Sequence, residues 1–404
     1  MRNIILLFVI LSFSSCQKEK IQKDPIPIVI SEKAQEVLNA SNQFGFEILQ
    51  KAFEESGDNN LMISPLSITQ ALSMTYNGAD GETKTAFENV LHFTGQTADE
   101  VNQAALDLTT ALLEVDSKVD IKIANSIWYR EDFSVEQDFI NANQTYYDAE
   151  VSDLDFNNPA SKDIINNWVD EKTNHKIEKI VDNISGDDIM FLINAIYFKG
   201  GWKTEFESKN TEDKPFYLND GTTKNVETMY VENDFSVSYE ETFSAIELPY
   251  GQGNYSMLIL LPNDESSLSE LVSQLDNQNW NELIQKMSVP ISRNLWMPKF
   301  KFEYENSLKD ELIDLGLGNA FSDYADFTGI NKDGGLNISR VKHKTFIEVN
   351  EEGTEAAAVT SVVVGVTSAG PGMNLFAIDH PFLFVIKEKY TNAILFVGTV
   401  TDPS

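Results

Sequence analysis

The stretch Gly353-Thr-Glu-Ala-Ala-Ala-Val-Thr-Ser-Val-Val-Val-Gly-Val-Thr-Ser-Ala-Gly370 decides how this chain is read. Its residues are small or β-branched, with one charge, Glu355, and no proline before Pro371. That is strand composition, even that of a cross-β segment a protein should hide. Yet Glu351-Glu352-Gly353 before it and Gly370-Pro371-Gly372 after it are loop punctuation and suggest an exposed connection. Read with a period of two, Thr354, Ala356, Ala358, Thr360, Val362 and Val364 share one face that a sheet could bury. A segment that is a loop at one time and a strand at another satisfies both readings.

Outward from that stretch, helical patterns fill the early chain and strand patterns the late chain. Ser31 reads as an N-cap, and Ser64-Pro65 starts a second helix that Gly78 ends. Further helices are expected over 81–91, 97–113, 139–147, 162–181, 268–287 and 307–315. Strands are expected over 118–129, 190–198, 294–304, 347–350, 382–387 and 393–400, with hairpins between 214 and 262. Without βαβ alternation, internal repeat or linker after residue 30, this predicts one α+β domain over 31–404.

The net charge of −33 argues against nucleic acid or a polyanionic polysaccharide as partner. An enzyme reading fails on inventory. There is no Gly-x-Ser-x-Gly, no His-Glu-x-x-His and no phosphate-binding glycine loop, since Gly251-Gln-Gly253 lacks a third glycine. His92, His175, His343 and His380 lack metal-ligand spacing, and Asn331-Lys-Asp-Gly-Gly is a turn, so no metal or cofactor is expected.

Cys16 is the single cysteine, which excludes an intrachain disulfide. Met1-Arg-Asn precedes an apolar run over 4–13, too short to span a bilayer, so 1–15 reads as a signal peptide. Ser14-Ser15-Cys16 resembles a bacterial lipoprotein processing site, although Phe13 stands where Leu is usual. That resemblance implies cleavage before Cys16, lipidation of its thiol and display on the outer membrane. A plain secretory signal or a structural thiol is the alternative. Residues 16–30, rich in Lys, Glu and Gln, read as a polar tether.

Five blocks, in order, resemble the serpin family. They are Asn60-Leu-Met-Ile-Ser-Pro-Leu-Ser-Ile with Asn77-Gly-Ala-Asp-Gly-Glu-Thr, then Phe191-Leu-Ile-Asn-Ala-Ile-Tyr-Phe-Lys-Gly-Gly-Trp202, and then the hinge Glu351-Glu-Gly-Thr-Glu-Ala-Ala-Ala358. Phe376-Ala-Ile-Asp-His-Pro-Phe-Leu-Phe384 and Phe396-Val-Gly-Thr-Val-Thr-Asp-Pro403 complete the set. The resemblance implies large mixed and antiparallel sheets, eight or nine helices and a reactive loop over about 351–375. It also implies a polar cluster gating the main sheet, at Ser64, Ser67, Asn194 and His343, where an Asn–His pair would need hydrogen-bond partners. Trp202 and Glu351 match the place where insertion begins, beside the hinge residues Gly353, Thr354, Glu355, Ala356, Ala357 and Ala358. Without the resemblance, His343 reads as a surface or satisfied histidine, Trp202 as a core aromatic and Glu351 as a surface carboxylate.

The implied activity is inhibition of a protease by a suicide substrate. Its loop is cut, the acyl-enzyme is trapped and the loop enters the sheet. The spacing typical of the family, counted from Gly353, puts the reactive bond at Thr367–Ser368, with Val366 and Ala369 as neighbours. Counting back from Asp379 lands near Gly370, where Gly370–Pro371 is a poor scissile bond. No Lys or Arg lies between Glu355 and Lys387, so an elastase-like or subtilisin-like serine protease, or a papain-like cysteine protease, is the expected partner. The protein is expected to be a monomer. The competing expectation is a non-inhibitory binding protein on the same scaffold: a carrier, chaperone or adhesin.

Overall fold

Side-chain caps start many of the helices in the computed structural model, which describes residues 24–185, 188–354 and 374–404. Ser31 accepts from the Ala34 N–H to open α1 (Glu32–Ser56), and Ser64 accepts from the Ser67 N–H to open α2 (Pro65–Tyr76). Asp80 caps α3 (Gly81–Val90), and a Thr97/Glu100 capping box opens α4 (Ala98–Glu114). Then come α5 (Gln137–Tyr147) and α6 (Ala160–Lys172), and later α7 (Leu268–Ser273), α8 (Asn277–Lys286) and α9 (Lys309–Asp314).

The strands are β1 (Leu61–Ile63), β2 (Val119–Arg130), β3 (Glu150–Leu154), β4 (Met190–Gly201), β5 (Glu212–Tyr217), β6 (Thr223–Tyr239), β7 (Phe243–Tyr250) and β8 (Tyr255–Pro262). They continue with β9 (Ile291–Pro298), β10 (Phe300–Ser307), β11 (Lys342–Asn350), β12 (Gly353–Thr354), β13 (Leu375–Ala377), β14 (Phe382–Glu388) and β15 (Ile394–Val400). Two sheets result. One has nine strands in the order β1-β15-β14-β8-β7-β6-β9-β13, with β5 also on β6; the other runs β10-β11-β12-β4-β2-β3. Strands β8, β14 and β15 are buried at every position, as a sheet covered on both faces requires.

Three expectations are corrected. The helix expected over 162–181 stops at Lys172, because Asn174 and His175 take positive φ angles of 51° and 62°. Ile177, Ile180 and Val181 are still buried, against Trp128 and Ile193, so burial rather than helicity made the pattern. The helix expected over 268–287 is two helices, because Asp276 caps a new start by accepting from the Asn279 N–H. The strand expected over 294–304 is β9 and β10 in different sheets, changing over between Pro298 and Phe300.

The second sheet positions the site. Strand β2 pairs antiparallel with β4 from Val119↔Gly200 to Tyr129↔Met190, and β10 pairs with β11 from Phe300↔Val349 to Ser307↔Lys342. Among the described residues, only β12 lies between these halves, two residues long and antiparallel to both neighbours. Strands β11 and β4 therefore run parallel, and among the described residues β12 alone enters the strand position between them, at its top. The body's contacts begin before Ser31. The Ile26 N–H donates to Asn254 Oδ1 at 2.9 Å, and Asn254 Nδ2 donates to the Ile26 carbonyl at 2.6 Å. Among the described residues no helix is long and apolar enough to cross a membrane.

Candidate functional site

The hinge glycine is required by the closeness of its neighbour. A Cβ on Gly353, whose φ is 153°, would stand 2.1 Å from the Gly200 carbonyl oxygen. Glycine lets β12 wedge between Val349-Asn350 of β11 and Gly200-Gly201 of β4, in the register Val349↔Thr354↔Gly200. Thr354 is only 3% exposed and points inward, where its hydroxyl meets the Tyr250 phenol at 2.5 Å. Burial pushes the Tyr250 pKa up, so the phenol stays neutral and can share that proton.

Trp202 holds the turn that feeds β12. Its indole N–H donates to the Asn350 carbonyl at 2.9 Å, and its backbone N–H donates to Glu352 O at 2.8 Å. The ring stacks on Tyr250, with centroids 4.5 Å apart and planes 11° apart. Glu351 accepts from the Thr211 hydroxyl at 2.8 Å and lies 3.5 Å from the Lys299 ammonium. The sequence identified Trp202 and Glu351 but missed Tyr250, whose one signal was an aromatic at the end of a strand.

The four polar positions converge on the first turn of α2, though not as an Asn–His pair. His343 Nε2 accepts from the Ser64 backbone N–H at 3.1 Å, while the Ser67 hydroxyl donates to Asn194 Oδ1. Among the described residues no hydrogen bond joins His343 to Asn194. Asn194 Nδ2 instead donates to Gln70 Oε1 at 3.1 Å and Asn125 Oδ1 at 2.6 Å. Each half of the sheet is thus pinned separately to α2: β11 through His343, and β4 through Asn194. Gln70 and Asn125 were missed. Gln70 lies three residues from Ser67 on one helix face, whereas Asn125 emerges only once β2 is registered against β4. Below these anchors, a cavity of about 310 Å³ opens between the halves, lined by Met190, Leu192, Asn194, Leu336, Ile338 and His343.

Burial lowers the His343 pKa from 6.5 to about 4, so the ring stays neutral and Nε2 can accept. The sign follows directly. Above pH 6.5 the ring is neutral whether the chain is folded or not. Between pH 6.5 and 4 only the unfolded chain takes up the proton, so stability falls, by roughly 3 kcal/mol in total. In thermal melts from pH 7 to 4.5, His343→Gln should remove a resolvable part of the acid destabilisation. Parallel pH curves for both proteins would contradict this role.

Glu355, Ala356, Ala357 and Ala358 lie outside the described residues, as do the expected reactive bond Thr367–Ser368 with Val366 and Ala369, and the expected lipid site Cys16. No group of His, Cys, Asp and Glu that could hold a metal occurs among the described residues.

The serpin family, described as serine protease inhibitor, matches residues 39–403. Serpin B4 of Homo sapiens is 35% identical over 387 residues, covering 90% of this chain and 98% of its own. The leukocyte elastase inhibitor of Bos taurus is 33% identical over 380 residues, covering 91% of this chain and 100% of its own. The crystal structure of tengpin, a thermophilic serpin, in its native state superposes with a TM-score of 0.83 at 34% identity, covering 94% and 98% of the two chains. With the hinge seated at the top of the strand position between β11 and β4, these matches lead to one conclusion: the chain belongs to the serpin family.

Proposed function

We propose that this protein inhibits serine-type proteases as a suicide substrate. Serpins as a family are protease inhibitors rather than catalysts. One observation carries the finer reading: Gly353 and Thr354 already occupy the top of a strand position between β11 and β4, which among the described residues are joined through β12 and not paired with each other. If the register continues, each further residue moves one step back along both neighbours. The sixth after Thr354, Thr360, then falls opposite both His343 and Asn194 and can replace the bonds that pin them to α2. Even-numbered residues face inward with Thr354, so Ala356 and Ala358 meet the space that only small side chains fill.

The protease nucleophile attacks the carbonyl carbon of Thr367, the peptide C–N bond breaks, and the new amine of Ser368 leaves with the proton, giving an acyl-enzyme. Insertion then draws the tethered enzyme away before water completes the hydrolysis. Absence of Lys and Arg from the loop favours enzymes that accept small or β-branched residues, elastase-like or subtilisin-like, with a papain-like cysteine protease as a further target class. The bovine relative's name, leukocyte elastase inhibitor, is in keeping with that class. Signal-directed export and lipidation of Cys16, anchoring a monomer at the bacterial outer membrane, complete the proposal.

Mixing the protein with elastase-like, subtilisin-like and trypsin-like proteases tests it. Complexes that survive boiling in detergent are expected with the first two and not the third. Mass spectrometry of the denatured mixture should find a C-terminal peptide beginning at Ser368. Cleavage by every protease without any covalent complex would favour a non-inhibitory binding protein.

A further inference from the structure

The strand position between β11 and β4 is closed at its foot by side chains, just as it is closed at its top by β12. Arg340 lies two residues before β11 and Asp188 two residues before β4, three steps apart in the register that β12 sets. Arg340 Nη2 donates to Asp188 Oδ2 at 2.8 Å, and its guanidinium lies 5.5 Å from the centre of the Phe191 ring. The same group reaches Asn183 through Oδ1 at 3.3 Å and the carbonyl at 3.4 Å. Lys342, the first residue of β11, pairs with Asp182 on the segment between α6 and β4. Lys342 also lies 3.1 Å from Glu305 of β10, and Asp182 lies 2.7 Å from Lys179, so each has a partner on its own side. Arg340–Asp188 and Lys342–Asp182 are the pairs that cross between the sides, and opening the sheet here separates their opposite charges.

We propose that the Arg340–Asp188 pair, seconded by Lys342–Asp182, is a latch that the entering loop must break to complete its insertion. The proposal rests on the inhibitor reading above. The register says when the latch is met. The ninth residue after Thr354, Val363, falls opposite Arg340 on one side and Phe191 on the other, and the twelfth, Val366, falls opposite Asp188. The first six residues enter as far as the polar cluster without reaching these charges. The last few before the reactive bond cannot pass until the pair separates. Entry at the hinge and completion at the foot are therefore distinct steps. The second one sets how long the uncut molecule stays active, because spontaneous insertion of an intact loop must break the same contacts.

The test uses the full chain with Asp188→Asn, with Arg340→Gln, and with the swapped pair Asp188→Arg/Arg340→Asp. Two readouts are taken: the half-time for loss of inhibitory activity on warming, at 50 and 500 mM NaCl, and the rate of forming detergent-stable complex with a subtilisin-like protease. Partly exposed ion pairs hold modest energies, so each single variant should lose activity roughly threefold to tenfold faster than wild type. Salt should hasten the wild type and leave the single variants nearly unchanged, and the swapped pair should recover the slow rate. A merely structural role would lower the melting temperature without moving the salt dependence or being repaired by the swap, and that pattern would overturn the latch. Unchanged half-times in both single variants would overturn it too, while complex formation by the wild type would leave the inhibitor reading standing. If the wild type forms no complex with any protease that cuts its loop, the inhibitor reading falls and the latch falls with it.

Discussion

Replacing Thr354 with arginine is expected to turn an inhibitor into a substrate: the loop is still cut, and the share of cleavages ending in covalent complex drops by at least about tenfold. Thr354 is buried under the sheet with its hydroxyl against Tyr250, between strands whose nearest backbone is Gly200 and Val349. A guanidinium in that place loses its water and finds no carboxylate, at a cost of several kcal/mol, while each 1.4 kcal/mol is about a factor of ten in rate. Insertion competes with hydrolysis of the acyl-enzyme, so a slower first step releases active protease. Thr354→Ser keeps the hydroxyl and should keep the complex. Equal complex yields from the arginine variant and the wild type, on a gel of protease titrated with inhibitor, would contradict the whole account of the hinge.

A single cut in the loop should make the molecule harder to melt. Among the described residues, no strand lies between the edges of β11 and β4 below β12. Entry supplies new backbone hydrogen bonds on both sides, each worth about 1 kcal/mol net, so a gain on the order of 10 kcal/mol is reasonable. For a body of this size that corresponds to a rise on the order of 15 °C in melting temperature. Calorimetry before and after limited proteolysis measures it, with the Thr354→Arg protein, whose gain should be smaller, as control. If cut and uncut wild type melt together, the native sheet holds no unspent strand energy and the proposed mechanism has no driving force.

Much of the fold was legible because local chemistry and tertiary packing agree there. Ser31, Ser64 with Pro65, and Thr97 start helices where their side chains can accept backbone N–H groups, and the apolar runs at 382–387 and 393–400 become β14 and β15. The failures have a common cause, in that hydrophobic spacing records burial and not backbone conformation. Ile177, Ile180 and Val181 face the core from a non-helical segment, and the single strand expected over 294–304 serves two sheets. At the site, types and positions were readable but partners were not. His343 and Asn194 were expected as a pair, yet His343 bonds to Ser64 at the N-cap of α2 and Asn194 to Ser67 inside it. Tyr250, Gln70 and Asn125 depend on contacts across more than a hundred residues or on strand register, which no single stretch encodes.

The position of β14 and β15 bears on what severing the loop does to the molecule. Both strands lie on the carboxyl side of Thr367–Ser368. They are buried at every residue, with β15 seated between β14 and β1, and β14 between β15 and β8. A protease that parts the chain there makes two polypeptides and one particle, because the shorter piece is the centre of the larger piece's β-structure. Under native conditions nothing should dissociate, and size-exclusion chromatography would not register the event. In this molecule the covalent backbone can be interrupted while its architecture remains held by strand pairing and packing.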